Sequence, residues 1–148
     1  MTLRARCLLL LLCSAPAVWT QDRGWSGTWT ASGAGKTLGG TWTARPRNEP
    51  NVSSGTWVVV DASGKPILTG SWSARKADKS WVGTWQARVS SSSGGVYSGS
   101  WTAESPVASA SQFVGLFEYA VTNTMRGTWR IGSQSGQWAI RASRPRGK

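Results

Sequence analysis

The sequence predicts an all-β fold with one helix: an eight-stranded antiparallel up-and-down barrel. Three observations carry that expectation. A Gly-x-Trp triplet recurs eight times, each copy sits in a stretch that alternates apolar and polar residues, and most copies are separated by hairpin-length clusters of Gly, Ser and Asp.

The triplets are Gly27/Trp29, Gly40/Trp42, Gly55/Trp57, Gly70/Trp72, Gly83/Trp85, Gly99/Trp101, Gly127/Trp129 and Gly136/Trp138. Successive tryptophans lie 13, 15, 15, 13, 16, 28 and 9 residues apart. Most of these gaps fit one strand and one turn, so the spacing suggests the single strand as the repeat.

In a strand, residues two apart share a face. One face therefore collects each Gly, its Trp and the residue two beyond: Ala31, Ala44, Val59, Ala74, Ala87, Ala103, Ile131 and Ile140. The position two before each Gly joins them, as Trp25, Leu38, Ser53, Leu68, Trp81, Tyr97, Met125 and Gln134. The opposite face carries Thr, Ser, Gln and Arg, among them Thr28, Thr41, Ser71, Thr84, Thr102, Arg126, Arg130 and Arg141. A dry face and a wet face mark antiparallel strands covered on one side. The polar outer face also opposes an outer-membrane barrel, whose lipid-facing residues are apolar.

The eight triplet tryptophans are thus the expected structural core, with glycines leaving room for neighbouring indoles. Loss of one indole is expected to cost roughly 3 to 5 kcal/mol.

The connections follow in order. "SGAGK", "DASGK", "KADKS", "SSSGG" and "GSQ" read as hairpin turns, so strands 1-2, 3-4, 4-5, 5-6 and 7-8 pair as neighbours. "RPRNEPNVS" is a longer loop between strands 2 and 3. The sixth connection is different. Ser105 and Pro106 form an N-cap and first-turn pair, and Val107, Ala110, Val114, Phe117 and Val121 follow at helical spacing, widened by Phe113, Leu116 and Ala120. A helix near 106–122 is expected to close an open end of the sheet or pack beside it. The alternative architecture is a strongly twisted open sheet with this helix across its Trp face.

The first 17 residues read as a secretory signal peptide: Arg4 and Arg6, then "CLLLLLC", then Ala15-Pro16-Ala17 as the cleavage pattern. Residues 18–148 form a single domain with a basic tail. The expected location is secreted or periplasmic, the alternative a lipid anchor through Cys13.

Both cysteines lie in that leader and there is no histidine, so the mature chain lacks disulfides, a cysteine nucleophile and the commonest metal ligand. The six carboxylates, Asp22, Glu49, Asp61, Asp78, Glu104 and Glu118, show no spacing that pairs two as acid and base. "GAGK" at Gly33 to Lys36 lacks the spacing and following helix of a phosphate loop. No catalytic residue, metal site or cofactor is expected, and the chain reads as a non-enzyme.

Without Arg4 and Arg6 the chain keeps 15 basic against 6 acidic side chains. Such a surplus favours anionic partners. In an up-and-down order the ends of the even strands share one rim, which gathers Arg45, Arg47, Arg75, Lys76, Lys79, Arg144, Arg146 and Lys148 against Glu49, Asp78 and Glu104. The expected partners are anionic lipid headgroups or acidic polysaccharide at that rim, or a small apolar ligand inside the barrel; nucleic acid is not expected. The bland reading of the rim is solubilising charge. Trp25, Trp81, Ser53 and Gln134 are the interior ligand candidates. For the tryptophans the alternative is core residence, and for the polar pair exposure at strand ends. Asn51-Val52-Ser53 is a glycosylation acceptor in a eukaryotic setting.

"SGTWTA" at Ser26 to Ala31 resembles the first-strand signature of the calycin barrels, the lipocalins and avidins, and "LTGSW" resembles an avidin-type strand. The resemblance implies a barrel that permits a ligand cavity, with Arg141 as the basic side chain packed over the first-strand Trp29. It assigns no activity. Two function classes follow: a non-catalytic binding module of the envelope or secreted space, or a structural component with a solid Trp-filled core.

Overall fold

A computed structural model describes residues 24–46, 51–78, 80–91, 93–104 and 112–145. The strands are β1 (Trp25–Gly33), β2 (Lys36–Pro46), β3 (Val52–Val60), β4 (Pro66–Ala77), β5 (Ser80–Val89), β6 (Val96–Ala103), β7 (Met125–Ile131) and β8 (Gln134–Ser143), with helix α1 (Phe113–Thr122) between β6 and β7. Each strand pairs antiparallel with the next and β8 returns to β1, closing the barrel. Closure leaves no room for the open-sheet alternative.

Alternation sets the faces. Along β1, Trp25, Gly27, Trp29 and Ala31 turn away from water while Ser26, Thr28, Thr30 and Ser32 are exposed. Turns hold the register: Ala34 and Gly35 take positive φ between β1 and β2, and Gly132 does so between β7 and β8. Between β3 and β4, the Asp61 carboxylate accepts from the Ser63 amide at 2.8 Å, the Ser63 hydroxyl at 2.6 Å and the Lys65 amide at 3.0 Å. These bonds hold its pKa below the ordinary carboxylate value, the Ser63 hydroxyl contributing most.

The structural unit proves to be the hairpin rather than the strand. A Gly-x-Trp triplet run antiparallel against another reads Trp-x-Gly, so each hairpin forms two reciprocal pairs. They are Gly27 with Trp42 and Trp29 with Gly40; Gly55 with Trp72 and Trp57 with Gly70; Gly83 with Trp101 and Trp85 with Gly99; Gly127 with Trp138 and Trp129 with Gly136. Where hairpins meet, tryptophan faces tryptophan: Trp42 with Trp57, Trp72 with Trp85, and Trp101 with Trp129. The closing seam differs, since Trp29 faces Ile140 and Trp138 faces Ala31.

Gly55 shows why the partner of an indole is a glycine. A Cβ there would run into the Thr43 carbonyl oxygen of β2 and lie 2.6 Å from Trp72 Nε1. That same carbonyl accepts the Trp72 indole N–H at 3.1 Å. The empty position lets the indole of β4 lie across β3 and bond to β2. Trp101 repeats the arrangement over Gly83, donating to Ser73 O at 3.1 Å. A buried indole keeps its polar edge satisfied in this way.

Helix α1 plugs one end of the barrel. Phe113, Leu116, Phe117 and Ala120 are its buried stripe, the i, i+3, i+4, i+7 pattern of one helix face. Phe117 packs on Trp42 at 5.2 Å and Trp25 at 5.5 Å between ring centroids, and Phe113 on Trp81 at 4.1 Å. Ala44, Ala74, Ala103, Met125 and Ala142 complete this buried layer.

One expectation about the helix changes. Within the described residues it runs from Phe113 with Gln112 as N-cap, and Ser105, Pro106, Val107 and Ala110 lie outside the described residues. Val114 is exposed, because the face that meets the barrel is centred on Leu116 and Phe117.

Candidate functional site

The closed barrel has two unlike ends. The plugged end holds the starts of odd strands and the ends of even ones; the other carries the turns that follow the odd strands β1, β3, β5 and β7.

At the plugged end Trp25 and Trp81 are buried beneath Phe117 and Phe113. Both belong to the buried core cluster. Ser53 is also fully buried, opposite Ala74 and Pro46, and its Oγ has no hydrogen-bond partner among the described residues. Burial replaces the strand-end exposure considered for it, because the chain is already paired on both sides there. Gln134 is exposed at the start of β8, remote from the other three, so the four interior candidates form no common site. Of the core tryptophans, Trp42 is buried, while Trp29, Trp57, Trp72, Trp101 and Trp138 are partly buried against the core; Trp85 and Trp129 are also partly buried.

The rim around the plug brings together part of the predicted charge set. Arg45, Arg75 and Arg144 are exposed and Lys76 is half-buried, with Asp78 and Glu104 also exposed there. Arg47, Lys79, Arg146 and Lys148, with Glu49, lie outside the described residues. Two arginines not counted in the rim belong to it. Arg126 is the second residue of β7 and Arg141 sits near the end of β8, both exposed on the outer face. Strand parity and position would have placed them.

Arg141 leaves the barrel on the polar face opposite Thr28, whereas Trp29 faces Ile140. Alternation therefore puts the Arg141 side chain on the other side of the sheet from the Trp29 indole. Its backbone carbonyl, rather than its guanidinium, contacts a tryptophan, accepting the Trp42 indole at 3.1 Å.

The outer face itself is built of hydroxyl groups. Where hairpins join, Thr43 bonds Thr56 at 2.9 Å, Ser73 bonds Thr84 at 2.8 Å and Thr102 bonds Thr128 at 2.7 Å. Between the first two pairs runs a groove of about 530 Å³ across β2 to β5, edged by Ser54, Ser71, Gln86 and Arg45 and also lined by Gly55, Trp72 and Trp85. Arg45, Ser54, Ser73 and Thr84 face one another in unbroken register. That row spans roughly 14 Å at the usual interstrand spacing. Arg75 is the next outward residue along β4. A second depression of about 400 Å³ lies around Gly27 and includes Thr28, Thr41 and Arg141.

Such an arrangement offers hydroxyl donors and acceptors with fixed cations at the border. Groups of this kind can hydrogen-bond and pair with a polar anionic molecule. Among the described residues no group of three or more His, Cys, Asp or Glu stands close enough to hold a metal ion, and no helix is long and apolar enough to cross a membrane. Comparison with known proteins finds no family model, no curated protein and no solved structure that matches this chain.

Proposed function

We propose that the protein is a secreted or envelope-associated, non-catalytic binding module whose outer face holds an acidic polysaccharide. The observation that carries this is the groove across β2 to β5, where Arg45 stands in register with Ser54, Ser73 and Thr84 and Trp72 and Trp85 add to the lining. Hydroxyls spaced by the sheet match a hydrogen-bonding sugar chain, and Arg45 and Arg75 match its carboxylates or sulfates. The net positive charge adds long-range attraction. Strand number, meander order and Gly27-Thr28-Trp29 on β1 support a calycin-like reading of the barrel.

The test is retention of the mature chain on immobilised heparin-type polysaccharide against salt. Wild type is expected to bind at low salt and elute as salt screens the contacts. Arg45→Ala and Arg75→Ala each elute earlier, while Lys36→Ala at the opposite end elutes with wild type. Absence of low-salt retention, or equal elution of all three variants, overturns the reading.

A second reading, a small apolar guest at the turn end, has its own observation. Leu38 and Tyr97 occupy inward positions yet are 40% and 50% exposed. Quenching of tryptophan fluorescence by an apolar dye, lost in Leu38→Lys, would support it. Lack of any dye effect would leave the filled structural barrel in its place.

A further inference from the structure

Strand β6 is longer than its partner. It pairs with β5 along its whole length, from Val96 to Ala103, but with β7 only from Ser100 to Ala103. Strand β7 ends at Ile131 and turns back through Gly132 and Ser133. Val96, Tyr97 and Ser98 therefore have no strand beside them on the β7 side among the described residues.

The direction of their backbone groups follows from two bonds. Val89 N donates to Gly95 O at 3.1 Å, so odd residues of β6 turn their backbone groups toward β5. Glu104 N donates to Arg126 O at 3.0 Å, so even residues turn theirs toward β7. Val96 and Ser98 thus aim two N–H and two C=O groups at the side where β7 is missing. The side chains there are unusual too: Val96 and Tyr97 are 58% and 50% exposed, the highest values among the exposed large hydrophobic residues. An apolar, unpaired strand edge is a template for another strand.

The flanking charge says which kind. Arg88 is directly across from Val96 on β5, and Arg130 is across from Ser100 at the corner where β7 turns away. Both are exposed on the outer face. A second copy of the edge would bring the same cations together, whereas an acidic strand would answer them.

We propose that Val96 to Ser98 is a docking edge for an extended acidic segment of a partner polypeptide, which adds to the barrel as a strand beside β6. Backbone bonds to Val96 and Ser98 fix it, its inward side chain packs on Tyr97, and its outward carboxylates meet Arg130 and Arg88. This site is separate from the groove across β2 to β5.

The test uses the mature chain labelled with nitrogen-15 and the probe acetyl-Glu-Val-Glu-Val-Glu-amide. Saturation with the probe is expected to slow amide exchange at Val96 and Ser98 by at least about tenfold. A probe with N-methylated glutamates, whose N–H groups face Val96 and Ser98 in an antiparallel addition, is expected to give no protection, and a Lys-Val-Lys-Val-Lys probe to bind roughly tenfold more weakly. Val96→Pro keeps the β5 ladder, because the lost N–H faces the gap, and abolishes probe binding. Three results overturn the proposal: protection of both amides in the free monomer, protection that rises with protein concentration alone, or equal binding of acidic and basic probes.

Discussion

Gly39 and Gly40 are neighbours in sequence, and substituting each with Ala is expected to change stability in opposite directions. Gly39 lies on the outer face of β2. A Cβ there would meet Trp29 O at 3.4 Å and Thr30 Cγ2 at 3.7 Å, ordinary contacts. With no strain added, Gly39→Ala narrows the unfolded ensemble and stabilises by up to about 1 kcal/mol. Gly40 lies on the indole face. A Cβ there would run into the Val58 carbonyl oxygen, with Val58 C at 2.8 Å and Val59 Cα at 3.2 Å. These are backbone atoms of β3, so relief requires moving one strand off the other. Overpacking of this kind costs roughly 2 kcal/mol. The shift also disturbs Thr41, whose carbonyl accepts the Trp29 indole at 3.1 Å, a further cost of about 1 kcal/mol. Gly40→Ala is therefore expected to destabilise by about 3 kcal/mol, some 4 kcal/mol apart from its neighbour. Urea unfolding followed by tryptophan fluorescence reads both, with the slope against denaturant checking that the two-state comparison holds. If the two variants shift stability in the same direction, glycine is not placed by the carbonyl and indole beside it, and the packing argument fails.

Ser53→Ala removes a buried hydroxyl without a partner among the described residues and is expected to stabilise by about 1 kcal/mol in the same unfolding assay; destabilisation would mean that the hydroxyl is bonded in solution. Phe117→Ala opens the plug above Trp25 and Trp42 and is expected to cost about 4 kcal/mol, with faster acrylamide quenching of the indoles; unchanged quenching would place the helix elsewhere. Asp61 has a lowered pKa, so its contribution is complete above about 3.8 and disappears as pH falls through the folded value. Asp61→Asn should consequently lose part of the acid-side decline in stability, and parallel curves for the two proteins between pH 2 and 6 would contradict this.

The strands were legible because two-residue alternation survives in nearly every repeat; the Trp25, Gly27, Trp29 and Ala31 series needs no tertiary information. The hairpin reciprocity was harder, since it depends on cross-strand register. Turn lengths differ so much that the paired tryptophans lie 13, 15, 16 and 9 residues apart in the four hairpins, yet each pairing brings Gly against Trp. The local start signal, Ser105 and Pro106, lies outside the described residues, whereas the contact that orders the described helix is the long-range one between Phe113, Phe117 and the barrel tryptophans. Alternation puts Arg126 and Arg141 on the outer face, and the rim reading omits them because strand position is not carried through to it. The groove was not legible at all: it arises from how four strands align their hydroxyls, and single-strand patterns do not contain that. The free edge of β6 likewise depends on where β7 turns.

The claim on which the architecture rests is that the indoles lie inside the barrel and donate to strand carbonyls across vacant glycine positions. Hydrogen exchange at the indole N–H groups, followed by nitrogen-15 NMR, tests it residue by residue. Trp29, Trp42, Trp72, Trp85, Trp101, Trp129 and Trp138 each donate to a backbone carbonyl and are expected to exchange slowly. Exchange of all seven at the rate of free indole would contradict the account.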